Sequence, residues 1–209
     1  PRWSEWEGIV TGQGAQMFGQ QFKELQKESL SRILSKPRSL TIVGLPTGFG
    51  KTRIPQSATK LIRSTSGGDQ GPTLIISPLI SLMDDQRREW NALFKGEMKF
   101  RFITAAETTD KRKIYNELLN DEIDVLCCSP DSIIRPRRGV QPHWIEAIQE
   151  MENPFSLLVV DEAHTIADWG ASIRPEFQLL DTVKRLILRR NKNLRVLLMS
   201  ATITQQEDE

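Results

Sequence analysis

The sequence predicts an α/β domain in which helices cover both faces of a parallel β-sheet. Short apolar, β-branched runs alternate along the chain with longer segments of helical periodicity. The first clear strand leads through a glycine-rich loop into a helix, and a later strand ends in an Asp-Glu pair. The length of 209 residues suits one large domain with a substantial core.

The composition narrows the possible functions. Hydrophobic residues make up 38% of the chain and charged residues 26%, which is ordinary globular usage. The 28 basic and 27 acidic residues give a formal charge of +1, so a nucleic-acid site must be local. The sequence contains no apolar run of transmembrane length and no signal-peptide pattern, so we expect no membrane partner. Adjacent Cys127 and Cys128 predict core thiols of a cytosolic protein rather than zinc ligands.

The glycine-rich loop carries the strongest chemical signal. An apolar strand at 40–44 precedes it, and a helix is predicted from about Thr52 to Arg63. Strand, glycine loop, Lys-Thr and helix form the arrangement that binds phosphate in P-loop nucleotidases, although Leu45 stands where the full pattern has its first glycine. The Lys51 ammonium suits the outer phosphates of ATP, and the Thr52 hydroxyl suits Mg²⁺. The predicted phosphate-binding residues are Thr47, Gly48, Phe49, Gly50, Lys51 and Thr52.

A second nucleotide motif follows the predicted strand at 156–160. Asp161 stands at the end of this strand, where its carboxylate can hold Mg²⁺. Glu162 beside it can orient and deprotonate an attacking water. A lone Asp-Glu pair is weak evidence, but a pair behind an apolar strand and downstream of a P-loop is a strong indication of nucleotide hydrolysis.

The other elements follow from the spacing of apolar residues. Residues 1–16 are expected to be irregular, with Trp3 and Trp6 docked either on this domain or on a neighbour. The inward positions of the helix upstream of the P-loop are predicted to be Phe22, Leu25, Leu30, Ile33 and Leu34. Further strands are predicted at 73–76, 100–103, 124–128 and 194–199, further helices at 110–119, 144–151 and 177–190, and a loop at 64–72.

Together these motifs resemble superfamily 2 helicases, and most closely the RecQ family. The segment from Ser77 to Gln86 is similar to helicase motif Ia of that family and is the most specific local match. Upstream, a Phe-Gly…Phe-Lys…Gln pattern resembles the family's adenine-recognition motif. Lys23 stands where the family has Arg, and Gln26 stands where the family's Gln reads adenine; an amide both donates and accepts, as the adenine edge requires.

The resemblance also implies a DNA side of the site. The predicted DNA contacts are Ser77, Pro78 and Leu79, then Ser129, Pro130 and Asp131, then Trp169, Arg174 and Phe177. Ser132 occupies the position of a family arginine, so Arg135, Arg137 and Arg138 either supply charge or form a solvated loop.

The loop at 165–177 resembles the aromatic-rich loop that stacks on single-stranded DNA, although a buried Trp169 anchoring a loop is an alternative. It departs from the family at 171–173, where Ala, Ser and Ile replace His, Asp and Phe. His164 resembles the residue that senses the γ-phosphate, and Ser200 and Thr202 resemble motif III, which couples the nucleotide to DNA.

The resemblance implies the first RecA-like domain of a DNA helicase over residues 17–204. Residues 205–209 would then form a polar tail that leads to a second RecA-like domain, and the 209 residues alone would bind ATP weakly and hydrolyse it slowly. The expected function is ATP- and Mg²⁺-dependent DNA unwinding or translocation on single-stranded or partly duplex DNA. A nucleotide-gated DNA clamp and an RNA helicase are the alternatives. The expected location is cytoplasmic, nucleoid-associated in a bacterium, and the pathway stays open among repair, recombination and antiphage defence.

Overall fold

A parallel β-sheet forms the centre of the protein. The computed structural model describes residues 3–12, 14–46, 48–64, 71–78, 80–103, 111–130, 132, 144–163 and 175–201, with side chains except at 80–86, 144–145 and 175–179. The strands are β1 Gln16–Met17, β2 Gln20–Gln21, β3 Leu40–Gly44, β4 Thr73–Ile76, β5 Phe100–Ile103, β6 Val125–Cys128, β7 Leu157–Val160 and β8 Arg195–Ser200. The helices are α1 Trp3–Thr11, α2 Glu24–Ser35, α3 Arg53–Ser64, α4 Ile80–Phe94, α5 Lys111–Leu119, α6 Trp144–Glu150 and α7 Pro175–Arg190.

Among the described residues, six strands pair in the order β3-β8-β7-β4-β6-β5, all parallel. All residues of β4, β6 and β7 are buried, as expected for central strands covered on both sides. On the first face, α1 to α4 pack in one apolar cluster with Val43, Cys127, Val159 and Leu197. On the second face, α5 to α7 pack in another with Leu74, Leu126, Leu158 and Val196. The predicted fold class is therefore confirmed.

Two predictions about the N-terminal part are wrong. Residues 3–11 form a helix rather than an irregular segment, and Trp6 on it is only 3% exposed. The Trp6 ring lies 5.6 Å from the Arg195 guanidinium carbon at the start of β8, so this tryptophan docks on this domain. Leu25 is 47% exposed instead of inward. The residue one turn before buried Leu30 is Gln26, and that residue takes the inward position.

The remaining boundaries agree closely with the sequence patterns. The predicted strands at 40–44, 73–76 and 100–103 have the bounds seen in the structure, and the other elements predicted after α2 differ by one or two residues at one or both ends. Most of the predicted loop at 64–72 lies outside the described residues. Cys127 and Cys128 are buried, and this burial raises the pKa of both thiols, which confirms them as core residues. Within the described ranges, no helix is long and apolar enough to span a membrane.

Candidate nucleotide and nucleic-acid site

The predicted site residues gather at the carboxyl edge of the sheet. Parallel pairing aligns Gly44 with Ser200, and Ile76 with both Val160 and Cys128. The P-loop after β3, the Asp-Glu pair after β7, and the turns after β4 and β6 therefore leave the same edge. This is the edge at which open α/β sheets bind their ligands.

The P-loop turns sharply between β3 and α3. Gly48 and Gly50 adopt left-handed backbone angles, with φ of 84° and 82°, a conformation that a side chain disfavours. A Cβ placed on Gly48 would meet nothing within 4 Å, so the space beside this backbone is open. Lys51 and Thr52 lead into α3, because Ile54 N donates to the Lys51 carbonyl at 3.0 Å. The loop thus presents backbone N–H groups and the N-terminus of α3 together, which suits an anion.

Gln26 connects the start of α2 to the P-loop. Its Nε2 donates to the Gly50 carbonyl at 3.1 Å, and its Oε1 accepts a bond from the Lys23 backbone N–H at 2.9 Å. The side chain is 5% exposed. In this arrangement both ends of the amide contact the protein, and the second Nε2 hydrogen and the second Oε1 lone pair are not used by these two bonds.

Lys23 also approaches the P-loop. Its Nζ lies 3.4 Å from the Phe49 carbonyl oxygen and 5.4 Å from the centroid of the Phe49 ring. Phe49 as a whole is 46% exposed. Where the family resemblance predicts an arginine, a flexible lysine therefore lies beside an exposed aromatic ring of the phosphate loop.

The Asp-Glu pair is held between two strands. Asp161 N donates to the Ile76 carbonyl at 2.9 Å, and Ala163 N donates to the Met199 carbonyl at 2.7 Å. The Asp161 side chain is 6% exposed and accepts a bond from Glu162 N at 3.0 Å. Glu162 has a left-handed φ of 51°, which is uncommon for a residue with a side chain and often marks a functional position.

Strand β8 lies between the two nucleotide motifs. It pairs with β3 on one side and β7 on the other, and Leu45 N donates to the Ser200 carbonyl at 3.1 Å. The strands carrying the P-loop and Asp161 are therefore about 10 Å apart, two strand spacings. Ser200 is buried between them. The position of β8 between β3 and β7 could not be predicted, because the spacing of motifs along the sequence does not determine the order of strands in a sheet.

The turns predicted to bind DNA point their serine side chains inward. Ser77 is fully buried and Ser129 is 4% exposed, whereas Pro78 and Pro130 are half-buried. Ser132, at the position of the family arginine, donates to the carbonyls of Ser129 and Ile103 at 2.7 and 3.2 Å. This serine stabilises the turn and has no charge to offer a phosphate. The side chains of Ser77, Ser129 and Ser132 are therefore directed into the protein rather than towards solvent.

Sequence reasoning did not single out Arg53, which supports the P-loop helix from behind. Its Nη2 donates to the Met17 carbonyl at 2.7 Å, and its guanidinium carbon lies 4.9 Å from the centroid of the Phe18 ring. The contact fastens the first turn of α3 to the β1–β2 hairpin. An arginine directly after the Lys-Thr pair was the available signal, but its partner is too distant in sequence to be predicted.

Several predicted site residues lie outside the described residues, and their roles stay predictions. They are Thr47, Leu79, Asp131, His164, Trp169, Arg174 and Thr202, together with Arg135, Arg137, Arg138 and the side chain of Phe177.

The described residues fit a magnesium nucleotide at this edge. The open glycine turn leaves room for phosphates, Lys51 supplies positive charge, and Thr52 and Asp161 supply the oxygen ligands that Mg²⁺ prefers. Within the described ranges, no group of three or more His, Cys, Asp and Glu side chains could hold a metal ion.

Comparison with known proteins assigns the chain to a family. A family model for the DEAD/DEAH box helicase matches residues 23–209. The chain belongs to the DEAD/DEAH box helicase family. The sheet with helices on both faces is accordingly the RecA-like helicase fold that the motifs implied.

Curated relatives place this helicase domain near the RecQ type. A probable ATP-dependent DNA helicase RecS of Bacillus subtilis is 30% identical over 192 residues, 91% of this chain and 34% of that protein. The ATP-dependent DNA helicases RecQ of Bacillus subtilis and Pasteurella multocida are 30% and 29% identical over 174 and 170 residues. These matches cover 82% and 80% of this chain but 26% and 24% of the relatives. The RecQ-like resemblance is confirmed, and the chain spans about a third or less of these relatives.

Proposed function

We propose that this chain is the ATP-binding motor domain of an ATP-dependent DNA helicase or translocase. The observation that carries the proposal is the meeting of the P-loop and the Asp161-Glu162 pair at one sheet edge, joined through β8. The relatives named as ATP-dependent DNA helicases support the same conclusion. DNA, as single strands or partly duplex, and a second RecA-like domain of the same polypeptide are the proposed partners.

Each nucleotide-site residue has a distinct task in this proposal. Bound Mg·ATP supplies the phosphoryl group whose transfer to water releases the free energy for movement. Lys51 would offset negative charge on the outer phosphates, and Thr52 and Asp161 would hold the Mg²⁺ ion. Glu162 orients the attacking water and accepts its proton. His164 senses the terminal phosphate, and Ser200 and Thr202 pass the change towards the DNA side.

Closure of the second domain would complete the cleft, and hydrolysis would release it. The 209 residues alone would then bind ATP weakly and turn it over slowly. The buried Ser77 and Ser129 and the uncharged Ser132 support contact with the sugar-phosphate backbone through main-chain groups rather than side-chain charge. Cytoplasmic location and a role in repair, recombination or antiphage defence stay predictions.

The test is ATP hydrolysis by the full-length protein with and without single-stranded DNA. Glu162→Gln keeps the size of the side chain but removes the base, so turnover should fall by about 100-fold or more. Glu152→Gln, at an exposed position outside the motifs, is the matched control and should hydrolyse ATP normally. DNA-stimulated turnover that persists in Glu162→Gln would contradict the assignment.

Two further outcomes separate the alternatives. DNA binding with no stimulation of hydrolysis would favour a nucleotide-gated clamp. A stronger stimulation by RNA than by DNA of the same length and sequence would favour an RNA helicase.

A further inference from the structure

An aromatic side chain is exposed in the middle of the phosphate loop. Phe49 is 46% exposed and is the aromatic member among the large, exposed apolar residues of the described part of the chain. The others, Ile9, Leu25, Leu40 and Ile42, lie on α1, α2 and β3, outside the loops at the carboxyl edge of the sheet. Phosphates are bound by N–H groups and cations rather than by apolar rings, so phosphate binding alone does not account for Phe49.

The backbone of the loop fixes the position of this ring. Gly48 and Gly50 have left-handed φ angles of 84° and 82°, whereas Phe49 between them does not adopt this conformation. A side chain is therefore disfavoured at both glycines and tolerated at residue 49. Phe49 N donates to the Pro46 carbonyl at 3.3 Å, which closes the turn that carries the ring. The ring is thus part of the same turn that presents the open space for phosphates.

Two residues at the start of α2 approach this position. Lys23 Nζ lies 3.4 Å from the Phe49 carbonyl oxygen and 5.4 Å from the centroid of its ring, within the range of a cation–π contact. Gln26 Nε2 donates to the carbonyl of Gly50, the next residue, at 3.1 Å. The Lys23 backbone N–H in turn donates to Gln26 Oε1 at 2.9 Å. An aromatic ring, a flexible ammonium group and a side-chain amide therefore lie together on the α2 side of the loop.

This combination suits a flat heteroaromatic group attached to a chain of phosphates. A nucleotide base has π-faces that stack on an aromatic ring, and its edge carries nitrogen and oxygen atoms that form hydrogen bonds with an amide or an ammonium group. Inorganic pyrophosphate offers neither a π-face nor such an edge. The nucleoside end of a nucleotide bound to this loop has Phe49, Lys23 and Gln26 available to it.

We propose that Phe49 stacks on the base of the bound nucleotide and supplies a substantial part of the nucleotide affinity. The inference rests on the proposed function, which assigns the phosphates to this loop. Lys23 lies over the ring and holds it in place, and the base replaces solvent on the exposed part of Phe49. Because every base presents a π-face, this contact adds affinity without selecting the base. Selection is left to hydrogen-bonding groups such as the Gln26 amide.

The test compares two ligands on the full-length protein by isothermal titration calorimetry. Mg·ADP carries the base, and Mg·pyrophosphate carries two linked phosphates without it. Stacking on an aromatic side chain contributes a factor of about five to one hundred in affinity, so Phe49→Ala should weaken Mg·ADP binding at least about fivefold. It should change the affinity for Mg·pyrophosphate by less than about twofold. Ile9→Ala, at a similarly exposed apolar position on α1, is the matched control and should bind both ligands like the wild type.

Two further substitutions separate stacking from simple apolar contact. Phe49→Trp keeps an aromatic face and should bind Mg·ADP within about threefold of the wild type. Phe49→Leu keeps an apolar side chain without a π-face and should lose most of the affinity that Phe49→Ala loses. A base stacked on the new indole should also quench its fluorescence beyond the change seen in the wild type, whose five tryptophans give the background. Mg·pyrophosphate should cause no such quenching.

Steady-state ATP hydrolysis gives an independent measurement. Phe49→Ala should raise KM for ATP and leave kcat within about twofold, because stacking on the base stabilises the ground state and the transition state alike. Equal losses of Mg·ADP and Mg·pyrophosphate affinity would overturn the inference, and so would wild-type affinity for Mg·ADP in Phe49→Ala or Phe49→Leu. Failure of the wild type itself to bind Mg·ADP would overturn the proposed function as well, which distinguishes the two failures.

Discussion

The contact between Gly50 and Gln26 predicts that two neighbouring glycines respond differently to the same substitution. In Gly48→Ala the new methyl group enters open space, so the main penalty is the left-handed backbone, about 1 kcal/mol. In Gly50→Ala the backbone penalty is similar, because the φ angles are 84° and 82°. The new Cβ would also lie 2.7 Å from Gln26 Nε2, which is closer than such atoms approach.

The difference between the two variants measures the Gln26 contact. The Gln26 amide is the end of a flexible side chain, so it can rotate away, but its bond to the Gly50 carbonyl is then lost. A buried hydrogen bond contributes about 1 kcal/mol net, so Gly50→Ala should destabilise the protein by roughly 2 kcal/mol in all. Replacing glycine by alanine also lowers the conformational entropy of the unfolded chain. This effect is the same in both variants, so it cancels in the difference between them.

The experiment is urea-induced unfolding of the wild type and both glycine variants. The same measurements are then made on the glycine variants in a Gln26→Ala background. In that background the two glycine substitutions should be equally destabilising, because the amide that distinguishes them is absent. If Gly50→Ala and Gly48→Ala destabilise the wild-type background equally, or if their difference persists without Gln26, the proposed contact between α2 and the P-loop is wrong.

Two further predictions concern stability away from the nucleotide site. Hydrogen bonds from Arg101 lower the pKa of Glu117 from 4.5 to about 2, so its stabilising contribution is present above pH 4.5 and is lost as the pH falls towards 2. Glu117→Gln should therefore lower the free energy of unfolding at pH 7 by roughly 2–3 kcal/mol. Urea titrations at decreasing pH should show the difference between wild type and variant becoming smaller. A difference that does not change with pH would contradict this prediction. Trp6→Ala should destabilise the protein by about 3 kcal/mol, clearly more than Trp3→Ala, because Trp6 is buried and Trp3 is only half-buried. Thermal or urea unfolding measures both effects. Equal effects would mean that α1 is not docked through Trp6.

The parts of the fold that were predictable depend on local patterns. The apolar runs at 40–44, 73–76 and 100–103 are each bounded by polar or turn-forming residues, so periodicity alone located these strands. The P-loop was predictable because glycines and a Lys-Thr pair between a strand and a helix have few other uses. The Asp161-Glu162 pair could be recognised as a nucleotide motif because a buried apolar strand precedes it.

The parts that were not predictable depend on contacts distant in sequence. The helix at 3–11 is stabilised by the contact of Trp6 with Arg195, which cannot be predicted from the first residues of the sequence. Gln26 is inward where Leu25 was expected, because its amide bonds to the P-loop and so a polar side chain can be buried without an unsatisfied group. The inward serines after β4 and β6 could not be told from outward ones by motif alone.

Because β8 lies between β3 and β7, the P-loop and the Asp161-Glu162 pair are connected mechanically through one strand. Since β8 bonds to both neighbours, a displacement of this strand along its axis would move Ser200 relative to both loops at once. A force applied to the chain after Ser200 therefore reaches the P-loop and the Asp-Glu pair together. Mechanical load on that segment, as in a single-molecule pulling experiment, should alter nucleotide affinity before it unfolds the sheet.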